Sequence, residues 1–198
     1  KMSNVNVYRD SKLSADDIQE FGFEHVAIAT GATWRRDGIA RYNLLPIAID
    51  AAMPVFTPDD LMEGQRPSGH VVIYDDDHYY MGSVLAELLV QNGNRVTFVT
   101  PSAKVAEWSF NTLEQGLIQS RLLELGVEVR VTRAVTEVKA SGVAASCTYT
   151  GRVDDIACEA VLMVTSRLPN ESLMLDLTAR AAAWADHDIQ SVKVIGDA

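Results

Sequence analysis

The chain is 198 residues long and 47% hydrophobic, and its 17 basic against 27 acidic side chains give a formal net charge of −10. Such acidity repels phosphate backbones and anionic lipid at long range, which excludes nucleic acid and a membrane surface as expected partners. No apolar run approaches the ~20 residues needed to cross a bilayer, Lys1 to Val5 begins no signal peptide, and Cys147 and Cys158 are too few for a disulfide framework or a four-thiolate cluster, so a cytoplasmic setting is expected.

In chain order, Val5 to Tyr8 alternates as a short strand, and Ser14 before Ala15, Asp16 and Asp17 reads as a helix N-cap, with Gly22 closing the helix. His25 to Thr30 is a continuous apolar run ending at Gly31, the pattern of a strand covered on both faces in a parallel sheet. Residues 32 to 66 carry Pro46, Pro54 and Pro58 and one short helix with Thr57 as cap, and read as a crossing segment.

From Arg66 a new unit begins: a strand at 70–74, a helix near 81–92, a strand at 95–100, a long helix near 103–125 and a strand at 127–133. This βαβαβ order implies right-handed crossovers and a parallel, Rossmann-like sheet. Phe110, Leu113 and Leu117 recur at helical spacing and are expected to give the long helix its sheet-facing side. The period then becomes alternating, with turn signals at Ser141-Gly142 and Thr150-Gly151, as in a β-meander. Ala160 to Thr165 is a last fully apolar strand of this region, Glu171 to Asp186 is helical, and Ser191 to Ile195 is a strand leading to Gly196-Asp197.

The first βα turn of the inner unit bears on nucleotide binding. A dinucleotide site needs glycines there so that bare backbone can approach the pyrophosphate. Only Gly82 fits the third glycine position; Asp77 and Tyr79 fall where the first two would be, after Asp75 and Asp76. One carboxylate about 4 Å from a phosphate charge costs about 4 kcal/mol at an effective dielectric near 20. The second strand ends in Val99-Thr100-Pro101, without the acidic residue that holds a ribose or the arginine that accepts a 2′-phosphate. A degenerate dinucleotide site is therefore expected. Asp75 to His78 reads as an acidic turn at a helix start, with a divalent-metal site as the alternative. Tyr79 and Tyr80 read as packing residues; Arg35, Arg36 and Arg41 read as a solvated basic island, with phosphate binding as the alternative; His25, His70 and His187 have no catalytic spacing.

Ala29-Thr30-Gly31, the inner βαβαβ unit with its meander, Ser166-Arg167-Leu168-Pro169-Asn170 and Gly196-Asp197 together resemble the pyridine-nucleotide/flavin disulfide-reductase-like fold, without the glycine-rich motif that precedes these landmarks there. Residues 71–87, 108–114 and 29–35 are most similar to the C-terminal region of the trimethylamine dehydrogenase family, which includes amine dehydrogenases and, more distantly, dienoyl-CoA reductase. The resemblance implies a segment of a larger oxidoreductase: residues 1–66 as the rear of an FAD/ADP-type domain plus crossing segment, 67–156 as an inserted NAD(P)-like domain, and 157–198 as the return to the first. It also implies a parent with FMN and a [4Fe-4S] cluster outside this chain, electron-transferring flavoprotein as a partner, and no cofactor on the segment by itself. Thr30, Gly31, Gly196 and Asp197 are the cofactor-binding candidates it implies, toward ADP or FAD held by the whole parent; a close backbone crossing served by glycine is the alternative account of them. An NAD(P)H-binding reductase module and a docking module for an electron-transfer partner are the competing functional readings.

Overall fold

The computed structural model describes residues 4–196, which divide into two compact units, one running from Thr33 to Leu168 and one made of the described residues before and after it. The sequence-based divisions at 66/67 and 156/157 do not coincide with these limits, because Val55–Phe56 and Ala160–Val164 are strands of the larger unit's own sheet.

That sheet has five parallel strands in the spatial order Val55–Phe56, Ala160–Val164, His70–Asp75, Arg95–Val99 and Glu128–Arg130. His70–Asp75 is central and buried on both faces, which is why it reads as an unbroken apolar run. Val71 and Ile73 point to one side, where they meet Leu85 and Leu89 of the helix Tyr80–Gln91 and Leu122 of the helix Gln115–Glu124. Val72 and Tyr74 point to the other, into a core shared with Val135, Val138 and Val143. Those residues belong to the meander, the antiparallel strands Arg133–Lys139, Gly142–Cys147 and Val153–Ala157, with Ala48–Ile49 added in parallel at its edge. Period-two alternation thus sends successive side chains of one strand into two cores.

The long helix expected near 103–125 is broken. A 3-10 helix at Glu107–Thr112 is followed by the α-helix Gln115–Glu124, and Ala106 and Leu113, flanking the 3-10 turn, adopt the left-handed region at φ 47° and 64°. Local bonds hold the break: Trp108 N–H donates to the His78 carbonyl at 3.1 Å, and the Gln115 side-chain amide donates to the Val105 carbonyl at 3.1 Å. Phe110, Leu113 and Leu117 are consequently exposed, and the stripe that meets the core is Ile118, Leu122 and Leu125, at spacings of four and three.

In the smaller unit, Ser14 and Asp17 form a reciprocal capping box on the helix Ala15–Phe21, and Gly22 closes it at φ 64°. His25–Ile28 pairs in parallel with Ser191–Val194. Only Ile28 of the first strand is buried, so the expected two-sided cover is not found; among the described residues this sheet has two strands, and one face packs on Ile18, Leu177 and Ile189. Val5–Tyr8 forms no strand and is exposed. The helix expected over Glu171–Asp186 is the α-helix Ser172–Ala179 followed by a 3-10 helix at Ala181–His187.

Candidate functional site

The larger unit concentrates its polar chemistry where the central strand ends. Asp75, Asp76 and Asp77 follow one another but face three ways. Asp75 is fully buried, and neither of its oxygens completes a well-formed hydrogen bond among the described residues. Burial pushes its carboxyl up to about 7, with His78 pulling it back through its charge and a weak, poorly aligned approach of its backbone N–H, and Asp77 and Asp76 adding to the rise. Asp76, also buried, accepts from the Tyr42 N–H at 2.8 Å and lies 2.7 Å from His78 Nε2. Asp77 faces Arg167, whose guanidinium nitrogen is 3.8 Å away and whose guanidinium carbon lies 4.9 Å from the Trp34 ring centre. This divergence leaves no shared ligand set, and among the described residues no group of three or more His, Cys, Asp and Glu side chains is placed to hold a metal ion.

The turn Asp76–Tyr79 is roofed by the segment that interrupts the expected long helix. His78 sits at φ 66°, and its carbonyl accepts the Trp108 N–H. Tyr80 donates its hydroxyl to Glu114 at 2.5 Å and meets the Thr112 hydroxyl at 3.1 Å, while its ring packs edge-on against Tyr79. Arg41 stacks over Trp108 at 4.3 Å. The space before the helix Tyr80–Gln91 is thus lined by protein groups already bonded to one another. Gly82 packs directly on the sheet: a Cβ there would come 2.9 Å from the Asp75 carboxyl carbon and 3.1 Å from the Phe98 ring. Thr100, at the end of the second strand, is buried and accepts the Ser102 N–H at 3.2 Å.

The remaining charged candidates have local partners. Arg35 pairs with Asp37 and Arg36 with Asp60, so the basic island is divided among neighbouring groups. His25 bonds Ser191 and His70 bonds Thr97, at 3.0 and 2.8 Å. Cys147, half-buried, is held down at about 7, first by the Thr150 side chain and then by nearby backbone N–H groups, whereas burial pushes Cys158 up to about 11.

In the smaller unit, Thr30 and Gly31 follow the strand His25–Ile28. Thr30 donates its hydroxyl to the Asn170 carbonyl at 2.7 Å, the Asn170 amide donates to the Thr30 carbonyl at 3.0 Å, and the Asn170 N–H donates to the Gly31 carbonyl at 2.9 Å. Ile195 N–H donates to the Ile28 carbonyl at 2.9 Å, which brings the ends of both parallel strands, and with them Gly31 and the residue before Gly196, to one edge. Gly31 and Gly196 have φ of 66° and 94°, and a Cβ on either would meet nothing within 4 Å among the described residues. The positive φ at both positions favours glycine on conformational grounds, and among the described residues no close neighbour adds a steric one. Asp197 lies outside the described residues. An open cleft of about 710 Å³ begins at Thr30 and Asn170 and runs along Ser11–Ala15 to Asp176. Sequence reasoning missed Asn170 as the clasp on Thr30, although it stands in the Arg-x-Pro-Asn motif, and missed Trp108 and Glu114 as roof residues because it set them inside a continuous helix.

Residues 56–151 match the family model for the OYE-like second alpha/beta domain. The chain is 32% identical to dimethylamine dehydrogenase of Hyphomicrobium sp. (strain x), over 96% of this chain and 28% of that protein. Histamine dehydrogenase from Rhizobium sp. 4-9 superposes with a TM-score of 0.96 at 52% identity, covering 98% of this chain and 30% of that one. The 6-hydroxypseudooxynicotine amine oxidase of Pseudomonas geniculata N1 superposes at 0.91 with 37% identity, over 99% and 29%. The chain therefore spans less than a third of the length of each of these relatives. In sequence and in fold it belongs to the trimethylamine dehydrogenase-like family.

Proposed function

We propose that the chain is the nucleotide-domain segment of an amine dehydrogenase-like iron-sulfur flavoprotein oxidoreductase, and that it serves there as a scaffold whose inner dinucleotide site is degenerate. The observation that carries this reading is the turn Asp76–Tyr79: where a dinucleotide fold presents bare glycine backbone, this chain has His78 bonded to Trp108 and Tyr80 bonded to Glu114. Two of the three carboxylates turn inward, so bonded side chains filling the turn, together with the missing glycines, exclude a pyrophosphate more than negative charge does.

In this reading residues 67–156 are the core of an insertion within a second FAD/ADP-type domain. FMN and the [4Fe-4S] cluster of the parent belong to other parts of the polypeptide, since two cysteines cannot supply four thiolates. ADP would be held by the smaller unit. The glycine backbone at Gly31 and Gly196 is open to approach, with Thr30 clasped by Asn170, and these residues with Asp197 would bind and orient it. The remainder of the parent chain and an electron-transferring flavoprotein are its proposed partners.

Calorimetric titration of the full-length protein with NADH, NADPH and ADP tests the reading. No heat from either pyridine dinucleotide at the inner site is expected. Stoichiometric micromolar binding that is lost on Gly82→Val would overturn it and favour an NAD(P)H-binding reductase module.

A further inference from the structure

Asp75 has no part in the function proposed above. It ends the central strand, is fully buried, and offers two carboxyl oxygens that complete no well-formed hydrogen bond among the described residues. A charged carboxylate so placed has lost its water and gained no well-formed hydrogen bond; the His78 N–H in its own turn offsets only part of that cost. The groups packed on it from other elements cannot answer the charge: Gly82 from the helix Tyr80–Gln91, the Phe98 ring from the second strand, and Val164, its register partner in the strand Ala160–Val164. Its titratable and charged neighbours are Tyr74, just before it in the same strand, and three residues of its own turn. The three are Asp76, committed to His78 and the Tyr42 N–H; Asp77, facing Arg167; and His78.

We propose that Asp75 is a proton-operated latch, which as a neutral acid lets the turn Asp76–Tyr79 close over the strand end and on ionising drives that turn, with the Trp108 segment bonded to it, to open. On ionisation the Asp75 O–H bond breaks and the proton passes to solvent admitted by the opened turn. The carboxylate, now beside Asp76 and Asp77, regains water. The mechanical link is short, because His78, three residues on and held at φ 66°, accepts the Trp108 N–H through its carbonyl. Opening the turn breaks that bond and frees the 3-10 segment Glu107–Thr112.

The direction follows from linkage. The carboxyl is raised from its ordinary 3.8, the value for a water-exposed carboxyl, to about 7 in the closed form, so closure is strongest below about 4 and is weakened as pH rises to about 7. The open population should grow about tenfold per pH unit across that window and level off above it.

Two measurements on the full-length protein decide the matter. Difference infrared spectroscopy should show the carbonyl stretch of a protonated carboxylic acid, half lost near the upper end of the window and missing from Asp75→Asn. Fluorine NMR of fluorotryptophan-labelled protein, with the Trp108 signal assigned by its loss in Trp108→Phe, should show the open fraction rising over the same window in the wild type and staying flat in Asp75→Asn. A wild-type Trp108 signal that does not respond to pH overturns the proposal, and so does an Asp75 already ionised below the window. Should Asp75→Asn fail to fold, agreement or disagreement of the two wild-type profiles still decides.

Discussion

Gly82 lies so close over Asp75 that a Cβ added to it would come 2.9 Å from the carboxyl carbon. This contact joins the first turn of the helix Tyr80–Gln91 to the end of the central strand, and it explains why a single glycine survives in a turn that otherwise carries Asp77 and Tyr79. Close helix–strand packing is the role of the third glycine in a dinucleotide fold, and it is separable from phosphate binding.

Gly82→Ala should therefore destabilise the chain despite the better helix propensity of alanine. Overpacking against Asp75 and the Phe98 ring costs about 1–3 kcal/mol, against about 1 kcal/mol gained from propensity. Gly116 is the control: it too is helical, and a Cβ on it would meet nothing within 4 Å, so Gly116→Ala should stabilise by about 0.5–1 kcal/mol. Urea melts of the two variants should move in opposite directions. Equal shifts would remove the packing role of Gly82.

A second test concerns which face of the helix Gln115–Glu124 meets the sheet. Leu117→Ser should leave stability within about 0.5 kcal/mol, because Leu117 is exposed, whereas Leu122→Ala should cost about 2–5 kcal/mol from the transfer and cavity contributions of a buried leucine. The Phe110–Leu113–Leu117 stripe expected from the sequence predicts the reverse order. Chemical denaturation of both variants separates the two registers.

That register shift shows where the sequence could be read and where it could not. Strands covered on both faces, such as Val71–Tyr74 and Val161–Val164, announce themselves as apolar runs because each side chain has a core to enter. The Ser14 and Thr57 caps were legible because capping depends on near neighbours, while the reciprocal bond from Asp17 emerged only in the structure. The broken helix was not, since Ala106 and Leu113 carry no glycine or proline signal and their left-handed conformation is fixed by bonds to His78 and from Gln115. The inward turn of Asp75 and Asp76 was hidden for the same reason: three successive aspartates look alike until the strand end, Gly82 and Tyr42 assign each a direction. The run at His25–Ile28 misled in the opposite sense, as an apolar strand that only one neighbour and one helical face cover among the described residues.

Asp60 provides a pH prediction opposite in sign to that for Asp75. Burial works to raise its carboxyl, but the Arg36 guanidinium at 2.9 Å and the Thr57 N–H and hydroxyl at 2.7 and 2.9 Å together outweigh it and hold the group below its ordinary 3.8. A lowered folded-state value means that this carboxylate contributes stability above about pH 4, and that the contribution is lost as pH falls through the still lower folded value. Asp60→Asn keeps the shape but removes the charge that both partners address, so it should cost about 1–3 kcal/mol at pH 7. Because the wild type protonates the same group in acid, the difference between the two should shrink steadily below pH 4. Urea midpoints for wild type and variant from pH 7 down to pH 3 check this, and a gap that does not change with pH would show that Asp60 acts through packing instead of through its charge.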